Sequence, residues 1–151
     1  MGKKRIIKQT TEEALKEGKQ LEAAIAKSGS SKEGAKKYEQ GRVYIRSSYN
    51  NTLISVTDSK GNLLAWSSAG ALGFSGPKKS TPFAASKVVS VITEKIKKTG
   101  PKNIDIFVNG IGGGRNSAVR SLANQGFNIL SIKDITPIPH NGPRPKKTRR
   151  V

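Results

Sequence analysis

The hydrophobic period changes once along this chain, and that change limits its folds more than any other feature. From Arg42 to Ser48 polar and apolar residues alternate, with Val43 and Ile45 on one face and Tyr44 and Arg46 on the other. A period of two is that of a half-buried strand. Thr52 to Asp58 repeats it through Ile54 and Val56, and Leu63 to Ser67 forms a third run. Tyr49-Asn50-Asn51 and Asp58-Ser59-Lys60-Gly61-Asn62 separate the runs, and such short turns join antiparallel neighbours. Gly70 to Ser80 then reads as a loop. At Thr81-Pro82 the period becomes helical: an N-cap hydroxyl and a first-turn proline precede Ala85, Val88, Val89, Ile92 and Ile96, and the helix should run to about Thr99. Gly100-Pro101 stops it. Ile104 to Val108 is a buried strand, Asn116 to Gln125 a second helix with Ala118, Val119 and Leu122 inward, and Phe127 to Ile135 a last strand. The expected fold is α/β, a single mixed β-sheet in the order βββαβαβ with helices packed on it and basic tails at both ends.

Charge divides the chain into three parts. The whole carries 28 Lys and Arg against 10 Asp and Glu, a net +18. Residues 1–40 hold ten cations and six glutamates, whereas residues 41–151 hold eighteen cations and four acids. A domain this stripped of acid is self-repelling unless a polyanion neutralises it. Residues 1–40 read as an N-terminal appendage, partly helical or disordered, with a helix from about Thr11 to Lys27 and a Ser/Gly linker after it. Residues 41–136 form the α/β domain. Residues 137–151 form a Pro-rich tail in which five of the final eight side chains are cationic. Its prolines deny it a helix or a ladder strand, but Arg144, Lys146, Lys147, Arg149 and Arg150 suit it to lie along phosphates. It should be disordered alone and order on RNA.

Three loops have the composition of nucleic-acid contacts. Ser47, Ser48, Tyr49, Asn50, Asn51 and Thr52 place one aromatic among small donors and amides, suited to phosphate, ribose hydroxyl and an unstacked base, although an ordinary hairpin turn uses the same residues. Lys78, Lys79, Ser80 and Thr81 lead into a helix N-terminus, where free amides favour an anion; a solvated loop is the alternative. Gly112, Gly114, Arg115 and Asn116 belong to a glycine loop that lets backbone approach an anion while Arg115 forks onto phosphate. The spacing fits neither the P-loop nor the dinucleotide fingerprint, so polymer phosphate is the better ligand. Arg46, at the end of the first strand, adds a further cation.

Catalysis is poorly supplied. Beyond Gly41 the acids are Asp58, Glu94, Asp105 and Asp134, and the first strand offers Arg42 and Arg46 where a two-metal nuclease wants a carboxylate. There is no cysteine, which removes disulfides and thiolate sites and fits a reducing compartment; the single histidine, His140, cannot make a histidine metal cluster. No cofactor or metal is expected. No apolar run is long enough to span a membrane, and no signal-peptide core follows the basic start. A cytoplasmic, non-enzymatic RNA binder is the leading reading. A metal-dependent nuclease is the alternative, and bulk DNA compaction would need no such loops.

Taken in order, Ser48-Tyr49-Asn50-Asn51-Thr52, Gly73-Phe74, Lys79-Ser80-Thr81-Pro82-Phe83-Ala84-Ala85, Gly114-Arg115, Asp134 through Gly142 and the closing Arg149-Arg150-Val151 resemble the universal small-subunit ribosomal protein eleven family in its bacterial form. The resemblance spans about Gly41 to Val151. It implies a ribonuclease-H-like arrangement without the nuclease site. It also implies binding to small-subunit rRNA on the platform and a share in the mRNA exit and Shine–Dalgarno cleft. Ribosomal proteins seven, eighteen and twenty-one are the implied neighbours. His140 and Asn141 join the RNA-binding set on this ground, and the resemblance implies isoaspartate formation at Asn141-Gly142. The chain departs from the family pattern in having Ile111 and Gly113 where prolines are usual, Ser75 where arginine is usual, and Pro143 where a cysteine is usual.

Overall fold

The computed structural model describes residues 38–97 and 100–147. The predicted helix at 11–27, the linker after it, the last residues expected of the 82–99 helix and the positions of Arg149 and Arg150 lie outside the described residues. Five strands make one sheet: β1 (Gln40–Ser47), β2 (Thr52–Asp58), β3 (Leu63–Ser68), β4 (Asn103–Asn109) and β5 (Asn128–Asp134). Their order across the sheet is β3-β2-β1-β4-β5. The first three pair antiparallel, and β4 and β5 add in parallel beside β1. Helix α1 (Pro82–Ile96) links β3 to β4, and α2 (Gly114–Asn124) links β4 to β5. The expected mixed sheet in the order βββαβαβ is therefore present. Two differences are local. Helix α2 begins at Gly114 and not at the expected Asn116, so Gly114 and Arg115 form its first turn, where Gly114 is buried. Gly70 to Ser80 is two short 3-10 turns, Gly70–Leu72 and Gly76–Ser80, because Leu72 is buried and the Ala69 carbonyl accepts from both Leu72 and Phe74.

The alternation sorts the two faces. Val43, Ile45, Ile54, Val56, Ile104, Ile106 and Val108 turn to one side and are almost wholly buried. Above them lie Ala84, Ala85, Val88, Val89, Ile92 and Ile96 of α1 and Ala118 and Leu122 of α2. Removing one of these isoleucines to Ala costs about 2–5 kcal/mol, so this layer fixes the sheet register. Val119 is partly buried against the same core. Both helices sit on this face, since α1 meets β2, β3 and α2 while α2 meets β1. On the opposite face Arg42, Arg46, Trp66 and Lys133 are exposed. The last strand is an edge: Leu130 and Ile132 remain more than half exposed, at 51% and 58%.

Candidate nucleic-acid interface

Parallel strands joined by helices carry every helix N-terminus to the carboxyl end of the sheet. Here that end gathers the turn after β1, the segment between β3 and α1, the glycine loop after β4 and the root of the tail after β5. The joins are hydrogen bonds. Gly112 N donates to Ser47 O at 3.0 Å, Ala69 N to Thr52 O at 3.0 Å, and Ile135 N to Val108 O at 2.9 Å. Three loops far apart in sequence thus meet at one end of the sheet. Neither α1 nor α2 has an acidic residue in its first turn, so neither helix offsets the partial positive charge of its own N-terminus.

The predicted residues divide into those that present themselves and those that build. Ser48 builds: its Oγ accepts from Asn50 N at 3.3 Å and Asn51 N at 3.1 Å, which closes the turn and pushes Tyr49 out to 72% exposure. Thr81 also builds, for its Oγ1 accepts from Ala84 N at 3.3 Å as the α1 cap and donates to Lys78 O at 2.8 Å. Ser80 Oγ donates to Pro77 O. Tyr49, Asn50, Lys78 and Asn116 are exposed on the loop surface, and Lys79 is half-buried beside Gly70. His140, Asn141, Arg144, Lys146 and Lys147 are exposed along a tail without regular structure, with Asn141 in the left-handed region at φ 52. Arg46 is not among the loops. It projects from the opposite face of β1, opposite Asn109.

Arg115 has a role that sequence alone did not disclose. Its guanidinium forks inside the protein, donating from Nη1 to Gly110 O at 2.9 Å and from Nη2 to Asp134 Oδ2 at 2.6 Å. Asp134 Oδ1 accepts from Thr136 Oγ1 at 2.6 Å and Thr136 N at 2.9 Å, and Thr136 Oγ1 accepts from Gly110 N at 3.0 Å. The ring clamps the glycine loop, the start of α2 and the tail root together. The Thr136 hydroxyl, then Arg115, then the Thr136 amide hold the Asp134 carboxyl well below its usual 3.8. Asp58 is also lowered, chiefly by the Asn62 side chain in the β2–β3 turn. Asp58, Glu94, Asp105 and Asp134 lie on four different elements or turns, and no group of three metal-ligating side chains occurs among the described residues.

Glycine is required in the loop for space as well as for freedom. A Cβ on Gly112 would meet Ser48 O and stand 2.5 Å from Ser47 Oγ; one on Gly114 would stand 2.5 Å from Thr52 Oγ1. Ser47 Oγ and Thr52 Oγ1, beside Gly112 and Gly114, and Asn51 Oδ1 in the neighbouring turn are buried without a protein hydrogen-bond partner. Such groups are rare in native interiors and mark the junction as polar. Ser47 and Thr52 bound the first loop in the sequence reading, but they were not among the residues assigned to RNA. The available signal was a hydroxyl at an inward position at the end of each strand.

Fold and loops together define a basic α/β protein that gathers amides and cations at the carboxyl end of its sheet. The family model for ribosomal protein S11 matches residues 41–150. The chain belongs to that family and is of its bacterial type. It is 54% identical over 112 residues to the small ribosomal subunit protein uS11 of Treponema pallidum (strain Nichols), covering 74% of this chain and 89% of the relative. The uS11 of Nautilia profundicola is 55% identical over 117 residues, 77% and 90% of the two chains. That of Endomicrobium trichonymphae is 52% identical over 125 residues, 82% and 94%. The chain is accordingly a structural component of the small ribosomal subunit and not an enzyme.

Proposed function

We propose that this protein binds small-subunit rRNA on the platform and helps to shape the mRNA exit and Shine–Dalgarno cleft, with ribosomal proteins seven, eighteen and twenty-one as neighbours. The observation that carries the RNA-binding part is the convergence of three loops, two helix N-termini without acidic first turns and the tail root on one end of the sheet. Amides and cations at such an end neutralise and position phosphates, which fixes RNA helices without reading bases. Residues 41–136 hold the loop surface, and 137–151 extend it along the RNA. The placement on the platform rests on family resemblance. A photo-crosslinking amino acid at Tyr49, in chain reconstituted into small subunits, tests it. Cross-links should fall on rRNA of the platform and on its neighbouring proteins. Cross-links to the body or head of the subunit would refute the placement.

A further inference from the structure

The sheet has a second surface that the loop reading leaves unused. The registers align one row of side chains across all five strands on the helix-free face: Trp66, Ser55, Tyr44, Phe107 and Lys133. Tyr44 and Phe107 are stacked, with ring centroids 5.1 Å apart and planes 18° from parallel. Lys133 Nζ lies 5.9 Å from the Phe107 centroid. Trp66 is 52% exposed. Ser55 is the small member of the row. With strands about 4.8 Å apart it leaves a floor roughly 10 Å wide between Trp66 and Tyr44. Two residues to either side of Tyr44, on the same face, stand Arg42 and Arg46, both exposed. The one acidic side chain of the strands on this face is Asp105, and it already accepts from Ser131 Oγ at 2.6 Å and from Gln40 Nε2 at 3.4 Å.

We propose that this helix-free face is a second RNA-binding surface, a stacking platform for unpaired bases. Trp66, Tyr44 and Phe107 would offer ring faces, and Arg42, Arg46 and Lys133 would hold the flanking phosphates. The proposal rests on the reading of this chain as an RNA binder. Aromatic residues on neighbouring strands of an open sheet accept splayed bases of single strands, whereas duplex bases are already stacked on one another. Three cations against one internally bonded carboxylate match a polyanion better than an apolar protein partner. The face is also continuous with the loop surface, since Arg46 lies opposite Asn109 at the edge where the glycine loop begins.

Trp66 is the single tryptophan, so its fluorescence reports on this face alone. Full-length protein is titrated with an eight-residue oligouridylate, with a duplex RNA of equal length, with inorganic polyphosphate of equal charge, and with an rRNA platform fragment. Tyr44→Leu and Phe107→Leu keep apolar bulk on the sheet, and circular dichroism verifies that they fold. The single strand should quench Trp66 more than duplex or polyphosphate does, and each leucine variant should weaken its binding about tenfold. Equal quenching by polyphosphate, or unchanged affinity in both variants, would overturn the platform. So would a Trp66 already shielded from acrylamide in the uncomplexed full-length chain, because a segment of this chain would then occupy the face. Leucine variants that bind every RNA normally but fail to recruit a ribosomal protein into subunits would make the face a protein interface instead, and would equally overturn it. Wild-type binding to the rRNA fragment separates the two readings. If the fragment binds while Trp66 and both variants are silent, the platform alone fails; if nothing binds, the RNA reading itself fails.

Discussion

Two adjacent glycines should respond to the same substitution with opposite signs. A Cβ on Gly113 meets only Ser80 O, at 3.5 Å, which is ordinary contact, and the residue is exposed with helical φ −62 and ψ −21. Gly113→Ala should therefore stabilise by about 0.4–1 kcal/mol, through the unfolded chain's lost freedom. A Cβ on Gly114 would stand 2.5 Å from Thr52 Oγ1 and 3.0 Å from Ala85 Cβ. Thr52 and Ala85 are both fully buried, one held in the ladder with Ser47 and the other in α1, so neither side yields cheaply. Overpacking of this kind costs about 1–3 kcal/mol against a helix-propensity gain of at most about 1. Gly114→Ala should thus be net destabilising by roughly 1–2 kcal/mol. For a urea slope near 2 kcal/mol/M that lowers the midpoint by about 0.5–1 M. Urea unfolding followed by circular dichroism is the assay, and Thr52→Ala is the second arm of a double-mutant cycle. With Thr52 cut back, Gly114→Ala should lose most of its penalty, a coupling of at least about 1 kcal/mol. A Gly114→Ala protein as stable as wild type, or a cycle with no coupling, would refute the close-packing account of this loop.

Other consequences concern charge and chemistry. A carboxyl depressed in the folded state stabilises fully above its unfolded value and loses that contribution as pH falls. Wild-type stability should therefore drop more steeply below about pH 4 than that of Asp134→Asn, and parallel acid slopes would contradict the Arg115–Asp134–Thr136 ring. Arg115→Ala should weaken both folding and rRNA-fragment binding, and Arg115→Lys should not restore them because an ammonium cannot make the fork; Lys97→Ala, at the exposed end of α1, should leave both nearly unchanged. Deleting residues 144–151 should flatten the slope of log affinity against log salt by up to about four units, and an unaltered slope would mean that the tail touches no phosphate. Isoaspartate should form at Asn141-Gly142, exposed and at φ 52, and not at Asn109-Gly110, where the attacking Gly110 amide is bonded to Thr136 Oγ1 at 3.0 Å. Electron-based fragmentation of ribosome-derived peptides distinguishes the two sites.

Local pattern was enough for the elements and insufficient for what lies across them. The alternation at Val43-Tyr44-Ile45-Arg46 and the Thr81-Pro82 start are properties of neighbouring residues, so β1 and α1 were readable. The positions of the loops were readable too, because glycine and small polar residues mark turns whatever the register. Arg115 was singled out for phosphate, but its partner within the protein lies nineteen positions away and becomes visible only once β5 pairs with β4. The row from Trp66 to Lys133 is legible only from four registers taken together. Phe127 to Ile135 was readable as a strand but not as an edge, and it is the place of β5 at the end of the sheet that leaves Leu130 and Ile132 exposed.

The clamp around Arg115 also fixes where the tail begins. Thr136 is pinned to the glycine loop, so every later residue is a tether from a known point on the loop surface. The stretch from Ile135 to Lys147 is thirteen residues and spans at most about 45 Å, wider than the sheet itself. If the loops hold one RNA helix as proposed, the tail's cations search a small sphere at high effective concentration, and their contacts become intramolecular. Weak individual phosphate contacts then add as avidity, and loss of the anchor at Asp134 would disperse them even with every tail residue intact.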